Sequence, residues 1–86
     1  MECSVEISMY ILSAEYKPAI INFIKRLRNH PFINIETNGM STQVFGDYKR
    51  VMKAINTEIK NTFIKEEKVV FNIKVMNVNL SEKPQF

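Results

Sequence analysis

The chain has 86 residues, with 12 Lys and Arg against 9 Asp and Glu, a net charge of +3. That length makes a single domain, and hydrophobic and charged fractions of 45% and 24% are those of an ordinary folded globule. The lone Cys3 rules out an internal disulfide framework and cysteine-pair metal sites. No apolar run approaches the ~18 residues of a membrane span, and a cytoplasmic location is the expectation.

Residues 3 to 12 alternate, with Cys3, Val5, Ile7, Met9 and Ile11 against Ser4, Glu6, Ser8 and Tyr10. This period of two predicts a strand with one apolar face. Ser13-Ala14-Glu15 leads into a helix with Pro18 in its first turn, where a missing N–H costs nothing. Ile20, Phe23, Ile24 and Leu27 then follow helical spacing until His30-Pro31 stops the helix.

Phe32 to Thr37 and Ser41 to Phe45 flank Asn38-Gly39, whose expected conformation is the type I′ turn of a tight hairpin. Asp47 is a suitable N-cap for a second helix with Val51, Met52, Ile55, Ile59 and Phe63 as its buried stripe. Lys65-Glu66-Glu67-Lys68 ends that helix. Val69, Phe71, Ile73 and Val75 alternate with Val70, Asn72, Lys74 and Met76 as a last strand. Residues 81–86 show no periodicity and are expected to form a loose tail after a single domain at 1–80.

The order β-α-β-β-α-β defines an α+β fold, the ferredoxin-like sandwich of a four-stranded antiparallel sheet with two helices on one face. Right-handed crossovers put the first strand between the third and fourth, with the second at an edge. The helices should cover the face of Val5, Ile7, Met9, Val44, Phe71 and Ile73. The other face carries Glu6, Ser8, Tyr10, Glu36, Ser41, Gln43, Phe45, Asn72, Lys74 and Met76, and no second layer is expected on it. A ligand or a second subunit is to be sought there.

The fold alone assigns no activity. The first loop, Ser13-Ala14-Glu15, lacks the paired cysteines of a metal carrier and the glycines and arginine of an anion cradle. The central strands lack the stacked aromatics of an RNA-recognition domain, so a nucleic-acid partner is not expected. His30 has no visible partner for general-base work, and a role at the helix C-terminus accounts for it. Cys3 lies on the apolar face. No catalytic residue, cofactor or metal follows from the sequence, and the protein is expected not to be an enzyme.

Other residues have the chemistry of a binding site. Glu6 sits mid-strand with Lys74 beside it, as a cross-strand ion pair or as a carboxylate for a cationic or amidine-like ligand edge. Tyr10 and Phe45 offer rings for stacking, or are ordinary strand aromatics. Ser8, Ser41 and Gln43 add polar groups, with Thr37, Asn38 and Thr42 as second choices at the hairpin. Thr42 should point away from Ser41.

Three stretches carry a resemblance to a known family. They are Val5 to Leu12, the helix Ile20-Ile21-Asn22-Phe23-Ile24, and Glu36 to Asp47 with its Asn-Gly-Met-Ser-Thr and Gly-Asp. Together with Val51-Met52 and Val70 to Val75 they resemble the YkoF-like thiamine-binding protein family over nearly the whole chain. Where many relatives read Tyr-Pro-Leu, this chain has Tyr10-Ile11-Leu12.

The resemblance implies a homodimer or homotetramer that binds thiamine or its hydroxymethylpyrimidine part, for vitamin transport, salvage or sensing. A flat aminopyrimidine could stack on Tyr10 or Phe45 and bond to Glu6, Ser8, Ser41 and Gln43. The alternative is a structural or regulatory homo-oligomer with no small ligand.

Overall fold

A computed structural model describes residues 1–86. Its elements are β1 (Glu2–Ile11), α1 (Lys17–Arg28), β2 (Ile33–Thr37), β3 (Thr42–Asp47), α2 (Tyr48–Lys65) and β4 (Val69–Met76). The strands lie in the order β2-β3-β1-β4, all pairs antiparallel, which is the ferredoxin-like arrangement expected. Glu6 pairs with Gln43 on one side and with Lys74 on the other. Val5 pairs with Val44 and Val75, so the alternation of β1 passes to its neighbours.

Cys3, Val5, Ile7 and Val44 from the sheet pack on Phe23 and Leu27 of α1 and on Val51, Ala54 and Ile55 of α2. This single core lies between the sheet and the two helices. Pro18 opens α1, and the Asp47 carboxylate accepts the Arg50 N–H at 3.3 Å as the N-cap of α2.

Four local expectations need correction. The β2–β3 connection is not a type I′ turn, because Asn38 and Gly39 both have negative φ. It is a four-residue loop in which the Asn38 side-chain oxygen accepts from the N–H groups of Met40 (2.8 Å) and Ser41 (3.2 Å). The Asn38 N–H donates to the Ser41 carbonyl at 3.1 Å. An Asx turn thus replaces the turn that needs positive φ.

The second correction concerns α2, whose buried residues are Val51, Ala54, Ile55, Glu58 and Thr62. Phe63 is 55% exposed and only edges onto Phe71, with ring centroids 5.7 Å apart. Val51, Met52, Ile55 and Ile59 of the expected stripe do pack on the core, and polar side chains fill the rest of the helix–helix seam. Arg26 donates to Glu58 Oε1 (2.8 Å) and to Thr62 Oγ1 (2.7 Å), and His30 Nε2 lies 2.7 Å from Glu58 Oε2.

His30, third, serves this network through its side chain, while Asn29 is the C-cap of α1. Fourth, the outer sheet face is not wholly bare. After β4 the chain folds back over the start of β1. Ser4 Oγ donates to the Val78 carbonyl (2.7 Å) and accepts from the Leu80 N–H (2.8 Å). Asn79 Nδ2 also donates to Glu2 Oε1 at 3.0 Å.

Candidate functional site

The last residues of β1, the first half of α1 and the β2–β3 loop meet at one end of the sheet. The β1–β3 ladder stops at the Ile7–Thr42 pair while β1 and its pairing with β4 continue, and a cavity of ≈ 300 Å³ opens beside α1. Ile7, Met9, Ile20, Phe23 and Ile24 form its apolar walls, with Met40 from the loop. Ser8, Tyr10, Thr37, Asn38, Ser41 and Thr42 supply its polar groups. Six of the nine residues singled out in the sequence therefore line one space.

Each is placed by a local cause. Strand alternation puts Ser8 and Tyr10 on the outer face, and Tyr10 is 54% exposed. Thr42 lies on the helix side as expected and is buried opposite Ile7. Its hydroxyl lies 3.0 Å from that of Thr37, its partner across the hairpin. Asn38 has its oxygen committed to the loop backbone. Ser41 faces two ways, lining the cavity while donating to Glu6 Oε2 at 2.8 Å and accepting from Gln43 Nε2 at 2.7 Å.

Glu6, Gln43 and Phe45 lie outside this cavity, on the outer sheet face. The Ser41 hydroxyl and then Lys74, 3.3 Å away, hold the Glu6 carboxyl below its ordinary range. Phe45 is only 6% exposed, because the returning chain passes beside it. Its ring offers little surface for stacking, a correction to its reading as an open platform.

The walls from Ile20, Phe23, Ile24 and Met40 were not read as site residues. The first three have the helical spacing of ordinary core side chains, and only the end of the β1–β3 ladder makes them a wall. The Glu58 network was also missed, since Glu58 lies 28 and 32 residues from the His30 and Arg26 that meet it.

No carboxylate, imidazole or amine borders the cavity, so it holds no group for proton transfer near neutral pH. No group of three His, Cys, Asp or Glu side chains is arranged to hold a metal ion. Burial, then Glu2 and Asp47, push the Cys3 thiol up against the opposing N-terminal charge, which makes it a poor nucleophile.

A small antiparallel α+β sandwich with a pocket at its helix–hairpin end is the class these features define. No family model matches the chain, and no curated protein matches it at a significant level. Solved structures do match.

A hypothetical protein of Methanocaldococcus jannascii is similar at 21% identity and TM-score 0.78, over 98% of this chain and 88% of that one. A Thermotoga maritima protein described as a proposed thiamine biosynthesis/salvage protein is similar at 12% identity and TM-score 0.80, over 91% and 85%. A Streptococcus pneumoniae protein reaches TM-score 0.83 at 15% identity, over 93% and 90%. These likenesses establish the fold.

Proposed function

We propose that the protein is a non-enzymatic carrier or sensor that binds thiamine or its hydroxymethylpyrimidine part, in vitamin transport, salvage or sensing. One observation carries this reading: an apolar cavity whose polar groups converge from β1 and the hairpin, the usual construction of a small-ligand site. Its volume suits the pyrimidine ring, with the rest of thiamine reaching toward solvent. Tyr10 would stack on the ring, and Ser8, Thr37, Ser41 and Thr42 would bond its nitrogen edge. Glu6 acts one step removed, by fixing the Ser41 hydroxyl.

The thiamine-related neighbour supports the ligand class. The uncharged lining supports binding without chemistry. Isothermal titration with hydroxymethylpyrimidine and with thiamine tests the reading. Saturable heat is expected with at least one of them, and no heat with either at millimolar ligand overturns it.

Self-association and a cytoplasmic setting complete the proposal. No helix is long and apolar enough to cross a membrane. β4 is an eight-residue edge strand without proline, with exposed Val70, Val75 and Met76. Such an edge is a template for pairing with a second copy.

A further inference from the structure

A second concavity lies on the outer face of the sheet over the start of β1, shares no lining residue with the proposed pyrimidine pocket and is independent of that reading. It has a volume of ≈ 460 Å³. The chain's return over β1 makes it a pocket rather than an open face. Ser4, hydrogen-bonded to both Val78 and Leu80, fixes the returning segment and brings Leu80 to the wall. Phe45 and Met76 line the same space, and Glu6, Gln43 and Lys74 are its polar groups.

We propose that this pocket binds a zwitterion with an apolar body, a free amino acid with a large apolar side chain. The register of the sheet places Gln43 and Lys74 on either side of Glu6. The lining therefore carries one carboxylate, one ammonium and one primary amide, and no net charge. A lone cation would have to displace Lys74, and a lone anion would meet Glu6. A molecule bearing an ammonium and a carboxylate on one carbon can satisfy both halves of the Glu6–Lys74 pair at once.

Little opposes that exchange. The Lys74 side chain is 79% exposed, so it swings aside without disturbing packing. An exposed ion pair of this kind is also weak. Glu6 is already oriented by Ser41, which is itself bonded by Gln43. The ligand's apolar body would rest on the exposed side chains of Met76 and Leu80, with the buried Phe45 beneath them, where burial of apolar surface favours binding. A second copy laid flat on this face would instead bury the charged pair, at a desolvation cost.

The test is an amide NMR titration of the full chain with L-phenylalanine, run in parallel with its two half-charged analogues, phenethylamine and 3-phenylpropionate. Saturable shifts are expected at Glu6, Gln43, Met76 and Leu80, with Thr37 and Thr42 unmoved. Each analogue should bind at least about tenfold more weakly than the amino acid, and so should L-phenylalanine to K74M and to L80A. Both substitutions are at exposed positions, so the folded spectrum should persist. No saturable shift at millimolar ligand, shifts centred on Thr37 and Thr42, or equal binding of phenethylamine each overturns the proposal. Failure of pyrimidine binding in the other cavity leaves these readouts intact.

Discussion

At the scale of single residues, two positions set the geometry near the start of β1 and one joins the helices. Gly46 has φ 151°, and a Cβ there would sit 3.2 Å from the Phe32 carbonyl oxygen and 3.4 Å from Val51 Cγ2. Phe32 in turn has φ 66°, unusual for a bulky residue, with Arg50 stacked 4.4 Å over its ring. The chain crosses over Gly46 at this point, and both residues carry the consequence. Gly46→Ala should cost about 1–3 kcal/mol through combined backbone strain and crowding, read from the urea unfolding midpoint. A change within experimental error would refute this account of the crossing.

Glu58 is the buried charge of the helix seam, 5% exposed. Burial pushes its carboxyl up, but hydrogen bonds from His30, Asn61 and Arg26, with the His30 charge, bring it below its ordinary value. A lowered folded pKa means that the carboxylate contributes stability above the unfolded value. That contribution is lost as pH falls through the folded one. Glu58→Gln should therefore destabilise the protein by about 2 kcal/mol near neutral pH, since charge-assisted bonds are replaced by neutral ones. The gap to the parent should close as pH drops below about 4, the usual carboxylate range. A gap that stays constant with pH would contradict the assignment.

At the scale of elements, strand alternation and helix spacing made β1, α1 and β4 legible to within a residue or two. Residue spacing counts apolar positions, and there the pattern followed burial. In α2 it held for Val51, Met52, Ile55 and Ile59, which pack on the core, and failed at the C-terminal end, where Glu58 and Thr62, bonded by Arg26, are buried and Phe63 is exposed. No periodicity can signal a polar residue that is buried by a partner from another helix. The hairpin shows a similar limit. Asn38-Gly39 correctly marked a reversal, but Asn38 used its own side chain to close an Asx turn.

The same distinction governs the site. Ser8, Tyr10, Thr37, Asn38, Ser41 and Thr42 could be named from alternation and the hairpin, and they share one cavity. The walls from α1 could not, since Ile20, Phe23 and Ile24 look like core until the β1–β3 ladder is seen to end. Phe45 looked open because nothing in residues 77–81 announced that they would return across β1. Their anchoring depends on the Ser4 hydroxyl and on the hydrogen bond from Asn79 to Glu2.

At the scale of the whole molecule, two concavities of different character lie along β1. The uncharged, apolar-walled one lies beyond the end of β3 and is lined from both faces of β1, and the charge-paired one lies on the outer face. Ser41 touches both through its bond to Glu6. The edge of β4 leaves an open ladder, and sedimentation across a range of concentrations should show a mass rising to a dimer or tetramer. A monomer at all concentrations would remove self-association from the account.

The central claim is that the helix–hairpin cavity recognises an aminopyrimidine. Thr42 tests it most directly, because it lines that cavity and its hydroxyl bonds only to that of the exposed Thr37. The decisive measurement is titration calorimetry of hydroxymethylpyrimidine against the parent protein and Thr42→Val, with thermal unfolding as a control for folding. The account predicts saturable binding to the parent and a loss of about tenfold or more in the variant, with the fold retained. Equal affinity in the two proteins, or no binding to the parent, would contradict it.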